Sequence, residues 1–377
     1  METFPIATSN DPNGMSRLDA MTNAKQDEGL PSLPQASRKP SLKEVATRAG
    51  VGLGSASRVL SGHASTSERM QRRVLEAAAE LGYIPNVLAR SLKQGTTLTV
   101  GFAASDIANP LVAEMYRGAE EILSAIGYSM VLTDAADMPA ADGERLRLLR
   151  QRKVEGIIML SVTEDHPALI SEASELDEPL IVIDRELPPA AMVKGAVLTD
   201  HVTGVMEAMR HLLSLGHRRF SLITGRDVRP ARERQRAMEN ALAELGVQSG
   251  SALTVLSGNL SEQHGAEAIR SALTQEHRPT AVILGGNQLL AGSLFELRKH
   301  GLTLGRDLSL VTCDERALGL LNDPPVAAIV RDVRQMGRLA AELFLEQRAS
   351  GNNPVRCVRV PTTFIETDSC GPAQAPK

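Results

Sequence analysis

From Leu98 to Thr312 the chain alternates short, nearly unbroken apolar runs with amphipathic stretches, and few folds accept that alternation. The runs lie at Leu98–Ala103, Ser129–Thr133, Gly156–Leu160, Leu180–Ile183, Ser221–Thr224, Thr254–Leu256, Ala281–Leu284 and Ser309–Thr312. Between them, Val112–Ile126, Gly204–Leu215, Ala231–Leu245, Glu262–Leu273 and Leu289–His300 carry the helical period. A strand without polar alternation is buried on both faces. The repeat therefore predicts parallel sheets covered by helices on each side, an α/β fold in two similar halves. The glycines of "GYSM", "GHRRF", "GVQSG" and "HGLTLG" stand where helices stop before the next strand. In such sheets ligands sit at the carboxyl ends of the strands, in the crevice between halves. At 377 residues the chain exceeds what one core serves, and its 42% apolar residues can fill two or three.

The stretch "SLKEVATRAGVGLGSASRVLSGH", residues 41–63, breaks this rhythm. Ser41 is placed to cap a first helix that turns Val45, Ala46 and Ala49 inward. Gly50-Val51-Gly52 makes a tight turn with one apolar peg, after which Ala56, Val59 and Leu60 pack back. Leu53, Gly54, Ser55 and Arg58 are left pointing outward, which is helix-turn-helix geometry. Ser67 is placed to cap a third helix that ends at Gly82. An ordinary three-helix mini-domain would give the same pattern. Residues 39–95 hold nine Lys and Arg against four Glu, while the whole chain carries −4. The positive excess is local.

Other classes find little support. Cys313, Cys357 and Cys370 are odd in number and lack metal-ligand spacing, which suits a reducing compartment. The start, METFPIATSNDP, has neither a basic region nor an apolar run, and no stretch approaches 18 apolar residues. Neither export nor membrane contact is expected, and the cytoplasm is the expected location. Residues 1–38, rich in Ser, Pro, Asn, Asp and Gln, read as a disordered leader. No nucleophile elbow, phosphate-binding loop or HExxH occurs, and the eight histidines show no metal spacing. No catalysis, metal or cofactor is expected. His201 is the one histidine placed to see the crevice.

"LKEVATRAGVGLGSASRVLSG", followed by "ERMQRRVLEAAAELGYIPNVLARSLKQGTTLTVGF", resembles the head and hinge of lactose-repressor (LacI/GalR) type transcription regulators. The likeness continues in order through "NPLVAEMYRGAEE", "KVEGIIML", "PLIVIDRE", "HLLSLGHRRFSLITG", "RERQRAMENAL", "PTAVILGGNQLLAGSLFEL", "LSLVTCDE" and "PPVAAIVRD". It implies a leader at 1–38, a helix-turn-helix head at 39–84, a hinge helix at 85–96, a two-lobed, periplasmic-binding-protein-like effector and dimerisation domain at 97–368, and a tail at 369–377. The partners it implies are a second copy of the chain, an approximately palindromic operator in double-stranded DNA, and a small-molecule effector.

By the same resemblance the second helix reads the major groove, with Leu53 and Gly54 selecting bases, Ser55 and Ser57 supplying hydroxyls, and Arg58 reading guanine. Gly52 departs from the usual serine cap. In the hinge, Leu92 is the minor-groove wedge, Ala89 lets paired helices approach, and Lys93 meets the groove or phosphates. Three chain segments cross between the lobes, near Leu198–Asp200, Val330–Asp332 and Asn353–Arg356. Leu111, Asp184, Arg185, Asp200, Arg234, Gln288, Asp314 and Arg331 are the expected effector contacts. Where many relatives place rings, this chain has Leu111, Val112, Met238 and Leu260, and the usual Asn-Asp pair is Gly286-Asn287. With 2% aromatic residues, no Trp and three arginines in the crevice, the expected effector is a small anion such as a sugar acid. The alternative reading is a non-enzymatic binding protein of the periplasmic sugar-binding type, which lacks a basic head.

Overall fold

The computed structural model describes residues 40–60, 66–83, 96–247, 252–350 and 354–374. The expected leader and the hinge positions Ala89, Leu92 and Lys93 lie outside the described residues. The chain gathers into two compact units, one ending at Arg90 and one beginning at Ser91.

In the first unit, α1 (Leu42–Ala49), α2 (Leu53–Leu60) and α3 (Glu68–Leu81) close around Val45, Ala49, Ala56, Val59, Val74 and Ala77. The small residues let the helices approach. Ser41 starts α1 with a reciprocal box: its hydroxyl accepts from the Glu44 amide at 3.3 Å, and Glu44 Oε2 accepts from the Ser41 amide at 2.6 Å. Gly50 ends α1 with a left-handed φ of 62°. Ser67 stands at the N-cap of α3, but its hydroxyl makes no capping bond; its carbonyl accepts from Met70 and Gln71 instead. Arg73 Nη2 donates to the Ala49 carbonyl and ties α3 to the end of α1.

The second unit holds two six-stranded sheets. The first is built from β1 (Thr99–Ala104), β2 (Ser129–Asp134), β3 (Ile157–Met159), β4 (Leu180–Ile183), β5 (Gly195–Asp200) and β11 (Arg356–Pro361), in the order β11-β5-β4-β3-β1-β2 and wholly parallel. The second contains β6 (Phe220–Thr224), β7 (Leu253–Ser257), β8 (Ala281–Leu284), β9 (Ser309–Cys313), β10 (Ala327–Val330) and β12 (Thr363–Ile365), in the order β12-β10-β9-β8-β6-β7. Only β12 runs antiparallel among its described pairings. Helices α4 (Pro110–Ser124), α5 (Ala141–Gln151), α6 (Pro167–Ser174) and α12 (Val333–Ser350) belong to the first lobe. Helices α7 (His201–Ser214), α8 (Arg229–Glu244), α9 (Glu262–Leu273), α10 (Leu290–Lys299) and α11 (Ala317–Leu320) belong to the second.

The eight apolar runs are strands, and the four helix-stopping glycines, Gly127, Gly216, Gly246 and Gly301, all have positive φ. Phe102, Leu123 and Phe344 are fully buried in the first lobe, each worth ~1.5–3 kcal/mol over exposure. Both lobes press helices together at glycines. A Cβ on Gly118 of α4 would fall 2.0 Å from the Arg334 carbonyl oxygen, and one on Gly337 of α12 would fall 1.9 Å from that of Met115. Gly265 and Gly292 do the same for α9 and α10, with 2.3 Å to Leu289 O and 1.8 Å to Glu262 O.

The chain crosses between lobes after Asp200 and after Val330, as expected. The third crossing is not at residues 353–356. β11 pairs with β5 from Arg356↔Gly195 to Pro361↔Asp200, so it lies wholly in the first sheet and the crossing falls at Thr362. Thr362 is buried; its hydroxyl donates to the Asp200 carbonyl at 2.7 Å and accepts from the Gly204 amide at 3.0 Å. Two crossings are thus tied by one side chain. No helix among the described residues is long and apolar enough to cross a membrane.

Candidate functional site

On α2, burial of Ala56 and Val59 against the other two helices fixes what is left outside. Leu53 is 53% exposed, Gly54 and Arg58 are exposed, and Ser55 and Ser57 are half-buried. All five lie on or beside one face. Of the basic residues counted around them, Arg48 pairs with Glu80 at 2.6 Å and Arg73 holds a carbonyl, so both serve the packing of the head.

Between the lobes of the second unit, the carboxyl ends of the strands enclose a cleft of about 120 Å³. Its floor is a chain of charges. Asp184 follows β4 and Asp314 follows β9, the equivalent strand of the other sheet, and both have left-handed φ, 49° and 65°. Such φ values are uncommon for a side-chain-bearing residue and concentrate at functional sites. Each aspartate amide donates to the neighbouring strand, to Val197 O and Ile329 O respectively, both at 2.9 Å. Arg331, at the second crossing, donates through Nη1 to Asp184 Oδ2 and Thr199 Oγ1, and its Nε lies 3.2 Å from Asp314 Oδ1. Arg234 of α8 donates to Asp314 Oδ2 at 3.3 Å and to the Gly285 carbonyl at 2.7 Å. Burial alone would raise the Asp184 carboxyl. The Arg331 charge and two bonds from Thr199 overcome that and hold it well below the usual carboxylate range.

Arg185 differs from these. Its Nε donates to the Ser161 carbonyl at 2.6 Å and its Nη1 to the Asp184 carbonyl at 2.9 Å. Among the described residues no carboxylate lies within ion-pair distance of it. Burial lowers its pKa, against the pull of Asp184, Glu164 and Asp142. Behind it, Asp142 is buried at the start of α5, where its Oδ2 accepts from the Val162 amide at 2.8 Å. Burial pushes that carboxyl up to about 6 despite backbone bonds from Val162 and Thr163. His201 is buried at the start of α7, with Nε2 unpartnered. Burial, then the charge of Arg234, hold it well below its ordinary value, so it is neutral.

The lobes also touch around the rim. Asn287 Nδ2 donates to Asn109 Oδ1 at 3.0 Å, and Gln288 Nε2 to Asp106 Oδ2 at 3.2 Å. Arg226 Nη2 donates to Asp137 Oδ2 at 3.1 Å. Glu164 of the first lobe sits on the start of α8 in the second, accepting from the Arg229 amide at 3.1 Å and from Arg232 Nη2 at 2.6 Å. The cleft is closed.

The structure brings Leu111, Asp184, Arg185, Arg234, Gln288, Asp314 and Arg331 to the cleft wall. Asp200 is not there: its carboxylate caps α7, accepting from the Val202 amide at 3.0 Å and Thr203 Oγ1 at 3.1 Å. Of the four aliphatic residues at expected ring positions, Leu111 and Leu260 line the cleft, while Val112 and Met238 are fully buried in the lobe cores. No aromatic side chain lines it among the described residues. Sequence reasoning missed Asp106, Asp137, Glu164, Arg226 and Arg229, which lie on loops or a helix start without periodic signal. Asp106, Asp137, Asp184 and Asp314 face Arg185, Arg226, Arg234 and Arg331, so the formal charges of the cleft wall balance. The expected surplus of arginine over acid is absent there.

Comparisons with known proteins agree with this architecture. Residues 41–86 match the family "Bacterial regulatory proteins, lacI family", and residues 209–370 match "Periplasmic binding protein-like domain". The chain is 26% identical to an HTH-type transcriptional repressor PurR of Photobacterium profundum, across 84% of this chain and 94% of that protein. It is 28% identical to the ribose operon repressor of Haemophilus influenzae, across 87% and 98%. Among solved structures, the Lac repressor bound to ONPG superposes with a TM-score of 0.77 at 23% identity, covering 88% of this chain and all of that one. A complex of the regulator CelR with cellobiose gives 0.65 at 26% identity, covering 88% and 99%.

Proposed function

This chain belongs to the lacI family of bacterial regulatory proteins and is a DNA-binding transcription regulator rather than an enzyme, and from that premise we propose that it is a repressor whose operator affinity is set by a small acidic molecule held between the lobes. Leu53, Gly54, Ser55, Ser57 and Arg58 read base edges, and Ala89, Leu92 and Lys93 complete the contact in the minor groove. The protein works in the cytoplasm as a homodimer on an approximately palindromic operator. Supporting a second copy as partner, Phe295 on α10 and Leu321 beside α11 are 69% and 85% exposed. Replacing Arg58 with Ala removes discrimination at one symmetric base position, ~1–3 kcal/mol, and leaves nonspecific binding nearly intact. Selection of bound sequences from random duplex DNA checks this; an unchanged preference refutes the reading face.

The observation that carries the effector class is Arg185. Arg234 and Arg331 are neutralised by Asp314 and Asp184, whereas Arg185 lines the cleft with, among the described residues, only carbonyls as hydrogen-bond partners. One carboxylate on Arg185, with hydroxyls on Asp106, Asn109, Asp137 and Gln288, describes a sugar acid. Charge-assisted bonds of this kind are about twice as strong as neutral ones. A neutral polyol is the second reading, favoured by the balanced charge of the wall. A thermal-shift series of matched sugars and their acid forms decides: the acids stabilise the protein, and Arg185→Gln abolishes that preference. Stabilisation by sugars alone, or by acids equally in Arg185→Gln, overturns the acidic effector.

A further inference from the structure

At the opposite end of the second sheet from the cleft, where β6, β8 and β9 begin, lies a cavity of about 520 Å³, several times the closed cleft. The three strands are neighbours in the sheet, so the loops that lead into them stand side by side. Each loop delivers an arginine: Arg219 directly before β6, Arg278 before β8 and Arg306 before β9. Backbone bonds fix the loops to one another. The Thr280 amide donates to the Arg219 carbonyl at 3.0 Å, and the Ser309 amide to the Thr280 carbonyl at 3.0 Å. The C-terminal segment forms the remaining wall. The Gly371 amide donates to Ser309 Oγ at 3.1 Å, and the Gly371 carbonyl lies 3.0 Å from His217 Nε2.

The charges here do not balance as they do in the cleft. Arg306 pairs with Asp307 at 2.8 Å. Arg219 Nε donates to the Arg278 carbonyl at 2.8 Å, which holds the two guanidinium-bearing residues against each other. Arg278 Nη2 is shielded from solvent and has no hydrogen-bond partner. Among the described residues, neither Arg219 nor Arg278 has a carboxylate within ion-pair distance. Glu276 is the other acid in the wall and pairs with neither. Two arginines without a carboxylate partner line one cavity, and Arg278 carries a shielded donor that lacks the hydrogen bond burial demands. A dianion between them satisfies both. The guanidinium fork matches phosphate geometry, and two forks supply the charge that a phosphoryl group carries and a single carboxylate does not.

We propose that this pocket is a second ligand site, for a phosphoryl group, held by Arg219 and Arg278 and separate from the effector cleft. Inorganic phosphate and pyrophosphate are the probes, on the full-length protein at constant ionic strength set by chloride. Saturable rises in unfolding temperature and broadening of the ³¹P resonance are expected, with pyrophosphate the tighter. Arg278→Gln and Arg219→Gln should each weaken both effects at least tenfold, and Arg185→Gln in the cleft should leave them unchanged. Arg278→Lys, which keeps the charge without the fork, should retain part of the affinity and guards against a variant that does not fold. The proposal fails if wild-type protein gives no saturable response beyond chloride. It fails equally if both glutamine variants respond like wild type, or if Arg185→Gln alone abolishes the response.

Discussion

The two lobes of the second unit finish equivalent strands with the same residue in the same conformation, then surround it with different partners. Asp184 after β4 and Asp314 after β9 share left-handed φ and an amide bond to the next strand. Among the described residues Asp314 has two cations within ion-pair distance, Arg234 and Arg331, and Asp184 has Arg331 alone, plus the Thr199 hydroxyl and amide. Arg185, next to Asp184, is left with carbonyls. A symmetric frame therefore carries an asymmetric charge pattern, and the arginine left without a carboxylate, Arg185, lies in the lobe whose cleft aspartate has the fewer cations.

The most forceful way to break this comparison is to remove the residue the two aspartates share. Arg331→Met strands Asp184 as a buried carboxylate and should cost about 3–5 kcal/mol, measured by urea unfolding. The second change distinguishes the lobes. Adding Asp184→Asn should recover much of the loss because the stranded charge is gone. Adding Asp314→Asn should not, because Asp314 keeps Arg234 and its removal leaves that arginine alone. Equal recovery from both would mean that the asymmetry has no energetic content.

A smaller effect sharpens the comparison through pH. In the first lobe, Asp142 has a folded-state carboxyl raised from 3.8 to about 6. Its contribution is present below its ordinary pKa and lost as pH rises through 6, on the order of 3 kcal/mol across the window. In the second, His201 is lowered well below 6.5, so its contribution is present above 6.5 and lost as pH falls. The slopes oppose each other. Asp142→Asn should remove the loss on raising pH from 4 to 6, and His201→Asn should flatten the fall below 6.5. Unfolding free energies at stepped pH test both, and unaltered slopes in either variant refute its assignment.

The unequal legibility of the lobes follows from where their information lies. Strands such as β1, β4 and β8 are buried on both faces and announce themselves as apolar runs. β11 is an edge strand whose Arg356, Cys357 and Arg359 are exposed, and charge interrupts the run that would have marked it. The resemblance placed the third crossing at 353–356, ahead of this strand, whereas the pairing of β11 with β5 puts it after the strand, at Thr362. At the site, the motif positions Leu111, Asp184, Arg185, Arg234, Gln288, Asp314 and Arg331 reached the cleft, and Asp200 did not. What no motif could reveal was pairing across the lobes, such as Asn109 with Asn287, separated by 178 positions. The arginines were visible in the sequence, but their neutralisation was not. An arginine count alone cannot distinguish a ligand contact from a closed ion pair.

Thr362 has a mechanical consequence. Three independent connectors would let the lobes slide, twist and bend against each other. Because one hydroxyl fastens the third connector to the Asp200 carbonyl and the Gly204 amide, the first and third behave as one bearing, with the segment at Arg331 as the other. Two bearings define an axis, and the relative motion left to the lobes is rotation about it. A ligand in the cleft is expected to bias that one rotation, whichever lobe atoms it touches.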